Sequence, residues 1–198
     1  MTLTFPQGDF EGYIFDCDGT LVDSMPLHYR AWSASFIHHD APFEFSEKRF
    51  YASAGVPDRE TVAELNAEHG CKLDADSIHD HKLEYFFQHM HELEAVHAVA
   101  DVLRSIHGKL PVSVASGSDI TLVAPSLKIV DLDHFFEIIV TPADVERGKP
   151  APDMFLLAAE KMGIAPEKCL VFEDGKAGID AANAAGMQSV FVPSGPAH

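Results

Sequence analysis

Five short apolar runs, each ending abruptly at turn or polar residues, recur along the chain. They occupy residues 13–15, 112–115, 138–140, 170–172 and 189–192. Continuous apolar runs of this length are typical of strands that are buried on both faces of a parallel sheet. The pattern therefore predicts a parallel sheet whose first strand lies near the N-terminus.

Stretches with apolar residues at helical spacing lie between the later runs. They cover residues 99–106, 120–129, 154–162 and 177–185, and Gly186 after the last of them is a typical helix stop. Strands that alternate with helices in this way indicate a doubly wound parallel sheet. The predicted fold class is therefore α/β.

Residues 24–94 interrupt this alternation, because the stretch is helical in pattern throughout, contains many aromatic residues and has no convincing strand. We interpret it as an α-helical cap domain inserted after the first strand. The predicted core domain then consists of residues 1–23 and 95–198.

Polar residues that could carry chemistry follow four of the predicted strands. Ligands of doubly wound sheets bind beyond the carboxyl ends of the strands, so these residues are expected at one edge of the sheet. The candidates are Asp16 and Asp18, then Ser116, Gly117 and Ser118, then Lys149, and finally Glu173 and Asp174.

The carboxylates of this set predict a cation site. Side chains two positions apart on a strand share a face, so Asp16 and Asp18 would repel each other without a cation between them. Together with Glu173 and Asp174 they form an all-oxygen set of ligands, which suits a hard cation such as Mg²⁺.

The remaining candidates suit a phosphate group. Lys149 can pair with a phosphate or with a reacting carboxylate, and the Ser116 hydroxyl and Gly117 N–H can donate to phosphate oxygens. Ser118 and Asp119 would open the next helix, whose N-terminus favours an anion. Each of these four groups of polar residues alone is most often a solvated turn or loop. Their occurrence together, each after an apolar run, favours a functional site.

The charge of the chain restricts its partners. Its 14 basic and 31 acidic side chains give a formal net charge of −17, which repels nucleic acid and anionic membranes. We expect neither as a partner. The positive charge that a phosphate ester needs must then come from a metal ion or from a few placed lysines and arginines.

Three cysteines, without metal-site or redox spacing, predict reduced thiols in a cytoplasmic protein. The N-terminal residues lack the basic start and apolar run of a signal peptide, so no such leader is expected. No apolar stretch of the sequence is long enough to span a membrane.

The candidate stretches, taken with their neighbours, resemble the four signature motifs of the haloacid dehalogenase superfamily. The resemblance spans essentially the whole chain and implies a Rossmann-like core with a helical cap, Mg²⁺ and an aspartyl-phosphate intermediate. The motifs are FDCDGTL at 15–21, ASG at 115–117, GKPAPD at 148–153 and VFED at 171–174, the last continuing through AGI at 177–179 and AAGM at 184–187.

The resemblance also implies a role for each candidate. Asp16 would attack phosphorus in line, and Asp18 would protonate the leaving alkoxide and then help to activate water or a second acceptor. The backbone carbonyl of Asp18 is also a magnesium ligand in the family. By the same resemblance Asp174, with Glu173 directly or through water, completes the cation site, and Lys149 and Ser116 hold the phosphoryl oxygens. Gly117 and Thr20 are further candidate substrate-binding residues.

The predicted cap resembles that of the beta-phosphoglucomutase-like subgroup. The similarity lies in residues 23–32, where His28 and Trp32 match the subgroup, and in the loop 55–60, which resembles a substrate-contacting loop. A packing role for His28 and a plain surface charge for Arg59 are the alternatives. The candidate substrate-binding residues of the cap are His28, Arg59 and Lys82.

The residues after the second motif bear on the reaction. Mutases of this subgroup carry a lysine and an asparagine there to grip a second phosphate, whereas this chain has Asp119 and Ile120. We therefore favour a phosphatase that acts on a small sugar phosphate or a similar phosphorylated metabolite, with a mutase as the alternative. Gly175 and Lys176 are a second departure, because a small hydroxyl residue is common after the acidic pair.

Three other readings are disfavoured. A receiver domain would place its acidic pair before its phosphorylated aspartate and would have no cap. A catalytically inactive binding module would not need the intact set of polar residues. A zinc site is not expected from the paired histidines, because residues two apart on a helix do not face each other.

Overall fold

The structure, a computed structural model, describes residues 2–53 and 56–194. Contacts within the chain divide it into two units, one of Met1–Ser24 with Leu93–His198 and the other of Met25–Glu92. Within the described ranges, no helix combines the length and the apolar character needed to cross a membrane.

The smaller unit is helical, as its sequence pattern predicts. Its buried core includes Trp32, Phe36, Val62, Leu65 and Ile78. The rings of Trp32 and Phe36 stack with centroids 5.3 Å apart. Among its described residues, the α-helices are α1 (Met25–His38), α2 (Glu47–Ala52), α3 (Asp58–His69) and α4 (Ala75–His89).

The larger unit is built on a five-stranded parallel sheet in the order β3-β2-β1-β4-β5. The expected α/β class with a doubly wound parallel sheet is confirmed. The strands are β1 (Gly12–Phe15), β2 (Val112–Ala115), β3 (Ile139–Val140), β4 (Cys169–Glu173) and β5 (Gln188–Phe191). The helices of this unit are α5 (His97–Ile106), α6 (Ile120–Ile129), α7 (Asp153–Met162) and α8 (Lys176–Ala184).

The strand order explains where a ligand can bind. The chain adds β2 and β3 on one side of β1 and then returns to add β4 and β5 on the other side. Crossovers between parallel strands are right-handed, so the connections of the two halves cover opposite faces of the sheet. The loops after β1 and β4 therefore diverge, which opens a crevice at the carboxyl ends of these central strands.

Both faces of the sheet are packed. Ile14 of β1 belongs to a buried cluster with Phe155 of α7 and Ala182 of α8. On the opposite face, Phe15 stacks on Phe172 of β4 with ring centroids 4.8 Å apart. Because side chains on both faces are buried, the carboxyl ends of β1 and β4 form a rigid support for the residues that follow them.

Candidate active site

Asp16, the first residue after β1, lies in a buried charge cluster. Its carboxylate Oδ1 accepts a hydrogen bond of 2.7 Å from Lys149 Nζ, which also lies 3.4 Å from Glu173 Oε1. Burial alone would lower the pKa of the Lys149 ammonium, but the charges of Asp16 and Glu173 outweigh burial and raise that pKa above its usual range. Lys149 therefore stays charged and neutralises part of the cluster.

Three carboxylates converge at this edge of the sheet. Asp16, Glu173 and Asp174 each offer an oxygen, and these oxygens all lie within 4.8 Å of one another. Burial raises the pKa of Glu173 well above its usual range, and the charge of Asp16 adds to the increase. Burial and the same charge raise the pKa of Asp174 to about 7, although a hydrogen bond from Ser194 opposes this.

The cluster fits a hard divalent cation. Glu173 Oε2 is buried without a hydrogen-bond partner among the described residues, which is unusual for a buried carboxylate oxygen. One lysine balances only part of the negative charge of three carboxylates. A cation bound by carboxylate oxygens would relieve the repulsion and satisfy the buried oxygen, as Mg²⁺ does in all-oxygen sites.

Gly178 in the first turn of α8 leaves the space that the Glu173 side chain fills. A Cβ at position 178 would lie 1.6 Å from Glu173 Oε1, 2.0 Å from Cδ and 2.2 Å from Cγ. A Cβ at Gly175, by contrast, would lie 3.7 Å from Glu173 Oε1, which is an ordinary contact. The glycine at 178 is therefore required by the position of Glu173.

Two serine hydroxyls hold the Asp18 carboxylate. Ser24 Oγ donates to Asp18 Oδ1 and Ser118 Oγ donates to Oδ2, both at 2.6 Å. The chain reaches this arrangement through a tight turn in which Gly19 has φ 78° and its N–H donates to the Val22 carbonyl at 2.8 Å. Since each carboxylate oxygen has its own donor, the orientation of Asp18 is fixed by the residues around it.

The loop after β2 places a second set of polar groups beside Asp18. Ser116 is fully buried, and its Oγ accepts the Ser118 N–H at 3.1 Å. Gly117 between them is exposed. Asp119 caps α6, because its carboxylate accepts the Thr121 N–H at 2.9 Å.

Thr20 and Cys17 complete the first motif as buried residues. In the parts of the chain that the structure describes, the Thr20 hydroxyl is buried without a hydrogen-bond partner. Burial raises the pKa of the Cys17 thiol well above its usual range, and the charges of Asp18 and Asp16 add to this increase. A neutral thiol between two carboxylates is a packing group and not a nucleophile.

Two of the candidate cap residues lie in buried or stacked positions within the helical unit. His28 stacks on Phe86 with ring centroids 4.5 Å apart. Lys82 is 7% exposed, its Nζ donates to an Asp58 oxygen, and the same atom lies 4.7 Å above the Trp32 ring centre. The Lys82 ammonium is therefore paired, as well as placed over an aromatic ring.

Arg59 has a different environment in the same unit. Its guanidinium pairs with Asp76 at 2.7 Å, and its side chain is 78% exposed. In the loop 55–60, which the sequence singled out, Gly55 lies outside the described residues.

Sequence reasoning did not assign a role to three residues of the core site: Ser24, Gly178 and Ser194. Ser194 Oγ donates to Asp174 Oδ2 at 2.5 Å. The sequence pattern could have indicated Ser194, because it is a polar residue that follows the last predicted strand, as the named candidates follow the other four. Ser24 and Gly178 carry no comparable signal, since their contacts depend on how the chain folds around Asp18 and Glu173.

Comparisons with known proteins show the family of the chain. A model of the haloacid dehalogenase-like hydrolase family matches residues 10–186. The chain is 35% identical over 186 residues to the fructose-1-phosphate phosphatase YqaB of Escherichia coli, covering 92% of this chain and 96% of that protein. It is 30% identical over 185 residues to the phosphorylated carbohydrates phosphatase of Thermotoga maritima, covering 91% and 84% of the two chains.

A similar structure has been solved. It belongs to a candidate beta-phosphoglucomutase from Thermotoga maritima, with a TM-score of 0.69 and 29% sequence identity, and the match covers 90% of this chain and 82% of that chain. The family model and these matches each cover most of the chain. The expected superfamily is thereby confirmed: this chain belongs to the haloacid dehalogenase-like hydrolases.

Proposed function

We propose that the protein is a Mg²⁺-dependent phosphatase that hydrolyses a small sugar phosphate through an aspartyl-phosphate formed on Asp16. The observation that carries the proposal is the contact of 2.7 Å between Lys149 Nζ and Asp16 inside a buried cluster of three carboxylates. Such a cluster pairs a nucleophile with the positive charge that a phosphoryl group needs. The names of two relatives, which act on phosphorylated sugars or carbohydrates, support the substrate class.

In the first half of the proposed reaction, an oxygen of the Asp16 carboxylate attacks the phosphorus atom. A bond forms between Asp16 and phosphorus while the ester P–O bond breaks. The proton of the Asp18 carboxylic acid goes to the leaving alkoxide, which departs as an alcohol. Lys149 and the Ser116 hydroxyl stabilise the charge on the phosphoryl oxygens.

In the second half, water attacks the phosphorus atom of the aspartyl-phosphate. Asp18, now a carboxylate, accepts the proton of the attacking water, and the bond between phosphorus and Asp16 breaks. Inorganic phosphate leaves, and both aspartates return to their starting states. The serines that bond Asp18 keep its carboxylate at one position through the cycle.

The side chains that would hold Mg²⁺ are Asp16, Glu173 and Asp174, with the backbone carbonyl of Asp18 as a further ligand by family resemblance. When bound, the ion supplies charge neutralisation for the phosphoryl group. The predicted cap, residues 24–94, is proposed to supply substrate contacts from His28, Arg59 and Lys82. Three free cysteines are consistent with the reducing environment of the cytoplasm, where we expect the enzyme to act.

Phosphorus NMR of the reaction products distinguishes a phosphatase, which hydrolyses the ester, from a mutase, which transfers the phosphoryl group within the sugar. Because Asp119 caps α6 with its carboxylate, a second phosphate would meet negative charge there. We expect fructose 1-phosphate or glucose 1-phosphate to release inorganic phosphate with Mg²⁺ and without a bisphosphate primer, and to be unchanged in excess chelator. Conversion of β-glucose 1-phosphate to glucose 6-phosphate, faster than phosphate appears, would instead establish a mutase.

Replacing Asp18 with asparagine is expected to slow hydrolysis of a sugar phosphate by roughly 10²- to 10⁴-fold, the contribution typical of a general acid. An amide cannot give a proton to the alkoxide. The loss should be much smaller for p-nitrophenyl phosphate, whose leaving group needs little protonation. The exposed Asp23, substituted in the same way, serves as the control and should keep full activity. Equal losses on the two substrates would contradict the acid role.

A further inference from the structure

The segment that follows β5 brings a hydroxyl group to the acidic cluster. The Val192 N–H donates to the Glu173 carbonyl at 2.9 Å, so the pairing of β4 with β5 continues past the last residue of β5. Ser194 lies two residues further on, and its Oγ is 2.5 Å from Asp174 Oδ2. The pairing therefore brings the segment that carries Ser194 alongside the end of β4, where its hydroxyl reaches Asp174.

The residues next to Asp174 in the chain supply no comparable donor. Gly175 has no side chain, and as the N-cap of α8 it makes no side-chain hydrogen bond. Lys176 pairs with Asp180 on the exposed side of α8. Glu173 carries a carboxylate, which repels that of Asp174. The hydrogen bond that Asp174 accepts therefore comes from a hydroxyl in the segment after β5.

Repulsion between the carboxylates opposes their converging arrangement. The carboxylates of Asp16, Glu173 and Asp174 lie within 4.8 Å of one another, and like charges at that distance favour side-chain orientations that separate them. A hydrogen bond from a fixed hydroxyl opposes this, because it holds one oxygen of Asp174 in place and stabilises its charge. Donors of this kind orient the ligands of metal sites.

We propose that Ser194 is a positioning residue of the cation site, which holds Asp174 in the orientation that converges on Asp16 and Glu173. The inference rests on the proposed Mg²⁺ site. Ser194 acts through Asp174, so its removal should weaken cation binding without changing which residues react.

The test measures cation binding by the full-length protein without substrate. Mn²⁺ serves as the probe, because it accepts the same oxygen ligands as Mg²⁺ and free Mn²⁺ is measured by electron paramagnetic resonance. We expect Ser194→Ala to lower Mn²⁺ affinity about 10- to 100-fold, as removal of a residue that orients a ligand commonly does. Ser194→Thr, which keeps a hydroxyl, should restore most of the affinity.

Two further variants make the result specific. Ser105→Ala removes a hydroxyl that bonds only locally, to the Val102 carbonyl of α5, and should leave Mn²⁺ affinity unchanged. Asp174→Asn removes the ligand itself and should weaken binding at least as much as Ser194→Ala. In chelator, Ser194→Ala should still unfold cooperatively, with a thermal midpoint lowered by only about 2–4 °C for the lost hydrogen bond, which separates loss of the cation from loss of the fold.

The outcomes distinguish the two proposals. If Asp174→Asn weakens Mn²⁺ binding but Ser194→Ala does not, the role of Ser194 is wrong and the cation site stands. If neither substitution changes the affinity, both the cation site and the role of Ser194 are overturned.

Discussion

Substitution of Asp16 by asparagine is expected to abolish phosphate release, with a loss of at least about 10⁴-fold, because the amide cannot form the acyl phosphate. The fold should persist. Asp16 is buried beside Glu173 and Asp174, so a neutral amide removes repulsion from the cluster while Lys149 keeps Glu173 as a partner. The measurement is steady-state phosphate release from a sugar monophosphate with Mg²⁺, together with the thermal midpoint of unfolding.

The matched control for this substitution is Asp101→Asn on α5. The Asp101 side chain is 76% exposed and pairs with Arg104 on the same helix, so the same chemical change there should leave the rate unaltered. Mass spectrometry of the Asp16→Asn protein must show that the amide has not reverted to the acid. Phosphatase activity that survives in such a sample would show that Asp16 is not the nucleophile.

Replacing Gly178 with alanine is expected to disrupt the acidic cluster and to destabilise the protein. Helix propensity alone predicts the opposite sign, since alanine in a helix is favoured over glycine by about 1 kcal/mol. However, the new Cβ would lie 1.6 Å from Glu173 Oε1, so the Glu173 side chain must move. Overpacking of this kind lowers the free energy of unfolding by roughly 1–3 kcal/mol. Denaturant unfolding and Mn²⁺ binding measure the two effects.

The same change three residues earlier provides the control. A Cβ at Gly175 would make an ordinary contact of 3.7 Å with Glu173 Oε1. Gly175→Ala should therefore keep the Mn²⁺ affinity of the wild type, at a cost of roughly 0.5–1 kcal/mol because alanine is a poorer N-cap residue than glycine.

A double substitution identifies the clash as the cause. Glu173→Ala removes the three side-chain atoms that a Cβ at Gly178 would meet. In that background, Gly178→Ala should no longer destabilise the protein and should gain the helix propensity of alanine. If Gly178→Ala costs the same free energy with and without the Glu173 side chain, then Glu173 is not what requires the glycine.

The secondary structure of the core could be predicted closely from the sequence. The runs at 112–115 and 170–172 correspond to β2 and to the centre of β4, and the other three strands also begin and end within one residue of the predicted positions. The reason is physical. Strands that are covered on both faces carry mostly apolar side chains, with Ser113 of β2 as a buried exception, so a mostly apolar run marks the strand and the polar residues after it mark its end.

Of the four carboxylates predicted for the cation site, those of Asp16, Glu173 and Asp174 lie together in the structure. The carboxylate of Asp18 departs from the prediction, because Ser24 and Ser118 bond its two oxygens. Asp16 and Lys149 are 133 positions apart, yet both follow strands of one parallel sheet, and the carboxyl ends of such strands share an edge. That Lys149 contacts both Asp16 and Glu173 depends on side-chain directions. Likewise, the pairing of Lys82 with Asp58 in the helical unit depends on how α3 and α4 pack.

The sequence by itself therefore determined which polar residues follow the strands, and that the motifs of the superfamily are intact. Only the tertiary structure decided that Gly178 makes room for Glu173, that Ser194 bonds Asp174, and that Ser24 and Ser118 share the Asp18 carboxylate. Periodicity and motif spacing describe neighbours along the chain. These contacts are instead set by distances of a few ångströms between separate elements, which exist only once the sheet and its loops have packed together.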